Sequence, residues 1–364
     1  MSAVELVGLG EPNRWREALR GIPHGFAHTW ESCHAHHLTT GHETLLLCVA
    51  VDDARVACPI AERPVDGRAD VVTPYGFSGF SGTGPCPGLP AVWARFARER
   101  GYVCGYIGLS PLFGDPSYAD SADVHPNKHV YVLDLTRTEA ELHAALSTNR
   151  RRQLRGWDPA AHDLERDRLV GFFLAEYPRF MARKDAAAQF AFSTATLEAI
   201  CRLPNVFLLG AQSDDGTLEA VSVFAHTPHA GDFLLNAALP GAAHHSTHLL
   251  WSAAHRLRGL GVPSLNLGGG VAEGDSLARF KERFGARKLP LTALKQVYDR
   301  AAYERLCRER GADPDDIEAY FPPYRRLRRH LRFGYRLAGD EPGLGRLFDV
   351  REPRARARIL SRSR

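Results

Sequence analysis

The sequence has no long apolar run. Its 364 residues are 44% hydrophobic and 24% charged, but no hydrophobic stretch reaches the roughly 18 residues that a membrane-spanning helix requires. The first residues, Met-Ser-Ala-Val-Glu-Leu, do not combine a basic segment with a long apolar one, so they predict no signal peptide. This composition is typical of a globular protein, and we expect a cytoplasmic one with two domains.

The sequence also lacks the spacing patterns of common metal, redox and nucleotide sites. Its seven cysteines are scattered without a Cys-x-x-Cys pair, so we interpret them as reduced, buried thiols. Six histidines between His24 and His42 contain no His-Glu-x-x-His pattern, and no metal site is predicted. The Gly-Leu-Gly turn at 8–10 has no third glycine for a dinucleotide. No Ser-His-Asp or Cys-His arrangement is recognisable, so no covalent intermediate is expected.

The stretch 265–285 carries the strongest local pattern. Alternating polar and apolar residues predict a strand that ends in three glycines at 268–270. Glycine lets the backbone adopt conformations that other residues resist, and it lets a ligand approach closely. Ser276 is expected to cap a helix that begins at Leu277, with Lys281 placed to reach over the glycine turn. Helical spacing assigns three residues to its buried face: Leu277, Phe280 and Phe284.

This strand, the glycine run and the Phe-Lys-x-x-Phe-Gly motif at 280–285 resemble the C-terminal signature of the Fem-type peptidyltransferases, which lie within the GNAT acyltransferase superfamily. The Pro-Tyr-Gly-x-x-Gly loop at 74–79 resembles a loop at their substrate cleft. Over residues 20–300 the resemblance implies an α/β (α+β) fold. It would have two tandem GNAT-like domains, 1–145 and 146–300, each a mixed, mostly antiparallel sheet flanked by helices. A basic helical tail would follow at 301–364.

The resemblance also implies a reaction. GNAT enzymes bind the pyrophosphate of coenzyme A on a glycine-rich loop at a helix N-terminus, whereas the corresponding loop here, Pro240–His248, has one glycine. Fem-type enzymes share this departure and use aminoacyl-tRNA as the donor. We therefore expect aminoacyl transfer from charged tRNA, without a cofactor, to an amine of a peptidoglycan precursor or a small peptide-like natural product. The alternatives are an acyl-CoA-dependent N-acyltransferase and a non-catalytic RNA-binding protein.

Such a reaction needs two positioned substrates and a stabilised oxyanion. By resemblance, Lys281 is the cation near the reacting carbonyl or the terminal ribose, and His248 and Asp275 are candidate proton acceptors. The residues predicted to contact substrate are Trp30, Tyr75, Gly76, Phe77, Gly79, Arg151, Tyr177, Arg183, Asn236, His244, Ser246, Gly268, Gly269, Gly270 and Phe280.

Two arginine-rich stretches remain. The run at 149–155 is either a solvated helix face or a grip on phosphate or carboxylate. Residues 322–364 contain 13 arginines, no lysine and four acidic residues, a net charge of +9. A basic face of this kind attracts a phosphate backbone. The predicted tRNA contacts are Arg325, Arg326, Arg328 and Arg329. A solvated basic tail and a contact with an anionic membrane surface are the alternatives.

Overall fold

The computed structural model of the chain describes residues 2–270, 274–318 and 320–326. Twelve strands lie in this part of the chain. In chain order, β1 to β12 are Ser2–Gly8, Glu43–Val51, Ala54–Val65, Arg68–Val72, Ser81–Gly82, Tyr102–Gly108, Val124–Asp134, Val206–Gln212, Leu218–His226, Gly231–Ala238, Ser264–Gly269 and Arg287–Val297. The helices α1 to α10 are Pro12–Ala18, Trp30–Thr40, Leu89–Glu99, Glu139–Ala145, Thr148–Gln153, Arg166–Arg183, Thr194–Arg202, Ser246–Gly259, Ser276–Glu282 and Arg300–Glu309.

All of these strands belong to one sheet. Its order is β1-β2-β3-β4-β6-β12-β7-β11-β10-β9-β8, and β5 pairs with β3 at its side. In the first half, β2, β3 and β4 form an antiparallel meander, and β4 lies parallel to β6. In the second half, β8, β9 and β10 form the same meander, and β10 lies parallel to β11. The two halves therefore share one topology.

The halves also exchange their last strands. β7 follows the first half in the chain but pairs with β11 of the second. β12 follows the second half but pairs with β6 of the first, and β7 and β12 pair with each other in the middle of the sheet. The expected α/β fold class, with a mixed, mostly antiparallel sheet flanked by helices, is confirmed. Because of the exchange, the sheet is continuous across the domain boundary that we expected at residue 145.

Apolar residues on both faces of the sheet explain where the helices lie. Successive strand residues point to opposite faces, so Phe224 of β9 packs towards α8 and its neighbour Val223 packs towards α6 and α7. In the first half, Trp93 of α3 packs against Ile60 of β3. A fully buried side chain of this size contributes roughly 1.5–3 kcal/mol to folding.

The N-terminal segment joins the two halves. Phe26 and Ala35 are buried in the apolar cluster of the second half. α2 packs against α7, where the hydroxyl oxygens of Thr39 and Thr196 lie 2.7 Å apart. Residues 24–40 therefore contact both halves.

The packed part of the chain extends beyond residue 300. Tyr303 of α10 is buried against β6, and Phe321 and Tyr324 lie in the same apolar cluster as Cys104. The segment that we expected to be a separate tail thus begins with residues of the core. None of the helices in the described residues is both long enough and apolar enough to cross a membrane.

Candidate active site

β10 and β11 separate at the centre of the second half. Among the described residues they pair at two positions, Gly231 with Leu265 and Asp232 with Asn266. Beyond these positions β10 is irregular between Phe233 and Leu235, and its residues pair with β9 alone. The parting of two parallel strands opens a gap beside the glycine turn at 268–270.

A chain of hydrogen bonds lies where the strands part. The Asp232 carboxylate accepts hydrogen bonds from Asn266 Nδ2 at 3.2 Å and from the Phe26 backbone N–H at 3.4 Å. Asn266, with 2% of its surface exposed, uses its Oδ1 to accept the Gly268 N–H at 2.9 Å. Asp232 was not among the residues predicted from the sequence. A single acidic residue at the start of a strand carries no motif, so no signal marked it.

Lys281 lies on the other side of the glycine turn. Its side chain is only 4% exposed, and Nζ donates a hydrogen bond to the Gly269 carbonyl at 2.6 Å. Gly268 has a left-handed φ of +72°, and a Cβ there would lie 3.4 Å from the lysine nitrogen. A Cβ on Gly269 would lie 2.8 Å from the His129 carbonyl. The turn therefore needs glycine at 268 for its left-handed conformation and at 269 for the close approach of the His129 carbonyl.

Burial shifts the pKa of both ionisable groups at this site. It lowers the pKa of Lys281 to about 8, and the Asp275 carboxylate offsets part of that effect. It raises the pKa of Asp232 to about 6, against the hydrogen bonds from Phe26 and Asn266. A carboxylate and an ammonium that both change protonation near neutral pH are suited to proton transfer and charge stabilisation.

α9 is rotated relative to the helix predicted from the sequence. Its N-cap is Asp275, whose carboxylate accepts the Ala278 N–H at 2.7 Å, and not Ser276. Leu277 is 40% exposed, whereas Ala278 and Lys281 are buried. At its buried position the Lys281 ammonium group forms a hydrogen bond with the Gly269 carbonyl. Asp275, predicted as a proton acceptor, is engaged by the helix that it caps.

Phe280 packs against an arginine that was not among the predicted site residues. The Arg150 guanidinium lies 4.4 Å from the Phe280 ring centre and donates to Thr247 Oγ1 and Gln153 Oε1, each at 2.6 Å. Arg150 is 6% exposed, while its predicted neighbour Arg151 is exposed. The arginine run at 149–155 therefore places one cation in the interior, beside the start of α8.

The aromatic residues predicted at the cleft meet between the two halves. The Tyr75 ring lies 5.0 Å from Phe192, and Tyr177 stacks on the same ring at 6.4 Å. The loop around Tyr75 is packed closely, because a Cβ on Gly76 would lie 2.5 Å from that of Ala27. A Cβ on Gly79 would lie within 2.6–2.8 Å of the backbone at 108–110. Phe77 is half-buried in this loop.

Three other predicted contact residues hold the fold through their polar groups. Trp30 Nε1 donates to the Leu9 carbonyl at 2.8 Å, in the apolar cluster beneath β1. Arg183 pairs with Glu176 at 2.6 Å and also donates to the Ala238 carbonyl at the end of β10. Asn236 Oδ1 accepts from Ser222 Oγ at 2.8 Å on the neighbouring strand. His244, Ser246 and His248 lie together at the start of α8.

The four arginines predicted to contact tRNA differ in their surroundings. Arg325 donates to the buried Asp70 carboxylate and to the backbone carbonyls of Arg63 and Pro64. These contacts fix Arg325 in the core, and its contact with tRNA stays a prediction. Arg326 is mostly exposed and pairs with Asp316 at 3.1 Å. The remaining two, Arg328 and Arg329, lie outside the described residues.

The fold was compared with solved structures. FemX superimposes with a TM-score of 0.61 at 10% identity, over 83% of this chain and 99% of the FemX chain. The chain therefore shares the fold of FemX. A conserved protein of unknown function from Bacteroides thetaiotaomicron VPI-5482 shares it with a TM-score of 0.50 at 10% identity, over 82% of this chain and all of that one. The sequence itself matches no protein-family model and no curated protein.

The candidate site distinguishes the second half of the sheet from the first. Both halves have a pair of parallel strands, β4 with β6 and β10 with β11. Only the second pair carries the glycine turn, the buried lysine and the raised-pKa carboxyl. At 10% identity the similarity shows the fold and leaves the chemistry to be argued from these residues.

Proposed function

We propose that this protein is an acyltransferase that moves an aminoacyl group from charged tRNA to an amine, forming an amide bond. The observation that carries the proposal is the linked set of Asp232, Asn266, the glycine turn and Lys281. It places a carboxyl group with a pKa of about 6 and a buried ammonium group at the gap between two parting strands. The acceptor is a peptidoglycan precursor or a small peptide-like amine, as the Fem-type resemblance implies.

The residues support a direct attack on the ester. The amine nitrogen forms a bond to the aminoacyl carbonyl carbon, and the Lys281 ammonium donates a hydrogen bond to the oxyanion that develops. An ammonium has three N–H donors, so Lys281 can hold the Gly269 carbonyl and still donate to a ligand. The Asp232 carboxylate accepts the proton that the attacking amine loses. The bond to the ribose oxygen then breaks, and the Asp232 carboxyl returns its proton to that oxygen as it leaves.

The loop before α8 favours tRNA over coenzyme A as the donor. A 3₁₀ turn at Ala242–His245 runs directly into the helix. The Ala242 N–H donates to the Leu239 carbonyl, and the Ser246 N–H donates to the Ala243 carbonyl. Two backbone N–H groups at this helix start are thus bonded within the loop and are not available to a pyrophosphate. This is the specific observation against the alternative, an acyl-CoA-dependent N-acyltransferase.

A donor experiment tests the proposal. We expect product to form with charged tRNA and an amine acceptor, and to stop when the tRNA is digested with RNase. Acetyl-CoA and longer acyl-CoA should neither support turnover nor raise the melting temperature, since a ligand that binds the native state stabilises it. A reaction that resists RNase and runs on acyl-CoA would put the alternative first. tRNA binding without turnover on any acceptor would favour the RNA-binding protein.

The basic C-terminal segment is proposed to hold the tRNA backbone. Residues 327–364 contain eleven arginines and four acidic residues, a net charge of +7. Truncation after Arg326 keeps the ion pair of Arg325 with Asp70, so the core should fold normally. We expect the truncated protein to bind tRNA more weakly, with a slope of log affinity against log salt that is shallower by about 0.7–0.9 per lost phosphate contact.

Binding measured between low and moderate salt checks this expectation. Arg202→Ala in the full chain is the matched control, since it removes one exposed arginine, paired with Glu198, that has no part in the proposed tRNA contact. An unchanged slope after truncation would show that the segment has another role, such as contact with an anionic membrane surface.

A further inference from the structure

Three metal-ligating side chains meet at the start of α8, away from the lysine site. Glu219 comes from β9, and His244 and His245 come from the 3₁₀ turn that precedes the helix. One potential ligand atom of each lies within 4.8 Å of the other two. His245 Nε2 is 2.6 Å from Glu219 Oε2, and both side chains are largely shielded, at 14% and 31% exposure. Neither Glu219 nor His245 has a part in the proposed reaction.

The hydrogen bond of His244 prepares its ring to bind a cation. His244 Nδ1 lies 3.1 Å from the Gly241 carbonyl oxygen. A carbonyl oxygen only accepts, so Nδ1 carries the ring proton and the lone pair for a metal is on Nε2. Metal-bound histidines commonly donate their second ring N–H to a backbone carbonyl in this way, because the bond fixes the tautomer and the ring orientation.

Two further imidazoles surround the group. His162 Nδ1 lies 3.0 Å from the Gly210 carbonyl, which fixes its ring in the same manner. The His162 and His248 ring centres are 6.0 Å apart, and His248 follows His245 by three residues, one turn along α8. Burial is the main cause that lowers the pKa of both His162 and His248. A lowered pKa favours the neutral imidazole, which is the form that binds metals.

We propose that Glu219, His244 and His245 form a binding site for one divalent transition-metal ion, and that zinc is the natural occupant. Imidazole and carboxylate ligands suit zinc, with Zn–N and Zn–O distances of about 2.0–2.2 Å. Two tetrahedral ligands at these distances lie about 3.3 Å apart. The His245–Glu219 contact must open by somewhat less than 1 Å, which small side-chain rotations provide. The ion replaces the proton between His245 and Glu219, and that proton is released to solvent.

This site was not visible in the sequence, where the absence of a metal motif predicted no metal. His244 and His245 are adjacent, and Glu219 lies more than twenty residues before them. Their approach depends on the antiparallel pairing of β9 and β10, which brings the loop after β10 back to the start of β9. The Leu239 N–H donates to the Glu219 carbonyl at 2.8 Å and fixes this approach.

Zinc binding to the tag-free full-length chain tests the proposal. The protein is freed of metal with EDTA, dialysed and titrated with zinc chloride in a calorimeter, and bound zinc is counted after gel filtration. We expect one zinc per chain and a higher melting temperature with zinc than without it. Glu219→Gln and His245→Ala should each weaken binding by at least about tenfold. Glu219→Gln is isosteric, so it decides the result if His245→Ala fails to fold.

His255→Ala is the matched control, because His255 lies farther along the chain, on α8, and faces another carboxylate, Glu139, at 3.7 Å. This variant should bind zinc like the parent. The proposal is overturned if the parent retains no zinc, or if Glu219→Gln and His255→Ala bind zinc equally well. The outcome does not depend on the acyl donor, so it stands apart from the test of the proposed function.

Discussion

Replacing Lys281 by methionine is expected to lower the rate of aminoacyl transfer by about 100- to 1000-fold, the loss typical of removing one oxyanion donor. Methionine fills a similar volume but offers no N–H group. The ammonium group lies 2.6 Å from the Gly269 carbonyl, beside the turn where the reacting carbonyl is proposed to bind. The effect should fall mainly on kcat, since the interaction forms with the oxyanion and not with the ground-state ester.

The same variant should fold at least as stably as the parent. Burial lowers the folded-state pKa of Lys281 below its unfolded value, so the folded protein holds this proton less tightly than the unfolded chain does. At pH 7 the lysine is charged in both states, and its burial opposes folding. Removing the charge relieves that cost and removes one hydrogen bond. Thermal unfolding at pH 7 should therefore show an equal or higher melting temperature.

Lys295→Met is the matched control for activity. Lys295 is half-buried on β12, and its Nζ donates a hydrogen bond to the Ile317 carbonyl at 2.5 Å. It therefore makes the same kind of hydrogen bond as Lys281 but lies away from the glycine turn. It should keep the parental rate. A folded Lys281→Met protein with a rate near that of the parent would place the reacting carbonyl elsewhere.

The sequence predicted most of the elements because their signals are local. The strand before the glycine turn and the helix after it are present as expected, as β11 and α9. The prediction was wrong about which face of α9 is buried. Hydrophobic spacing assigns Leu277 to the core and Lys281 to the edge of the buried face. It takes no account of the hydrogen bond to the Gly269 carbonyl, which holds the lysine in the interior.

The parts of the site that escaped prediction depend on distant partners. Asp232 meets Phe26, which lies 206 residues away in the chain, because residues 24–40 pack against the second half. Arg150 and not Arg151 points inward because Thr247 and Phe280 lie on that side of α5. Neither contact leaves a pattern in the local sequence. The exchange of β7 and β12 could not be predicted from the sequence either, because the composition of a strand does not show which half of the sheet it joins.

The pH dependence of the reaction should reflect the two ionisable groups at the gap. Asp232 acts as a base only when ionised, so the rate should fall as the pH drops below about 6, the pKa to which burial raises it. Lys281 stabilises an oxyanion only when protonated, so the rate should fall as the pH rises above about 8. The profile of kcat/KM is expected to be bell-shaped with its plateau between these values. In the Lys281→Met variant, the fall of kcat/KM at alkaline pH should disappear.

Asp232→Asn should remove the acid limb and lower the rate by about 100- to 10,000-fold, the range of general acid–base catalysis. The amide keeps the shape of the carboxyl, and its oxygen can still accept the Phe26 N–H, but its NH2 group then faces the donor Asn266 Nδ2. A melting temperature near that of the parent is therefore required before the rates are compared. Asp123→Asn is the control, because Asp123 accepts a hydrogen bond from Gln296 at 2.6 Å on the other half of the sheet. If Asp232→Asn were slow but kept the limb near pH 6, Asp232 would position Asn266 and the glycine turn, and another group would take the proton.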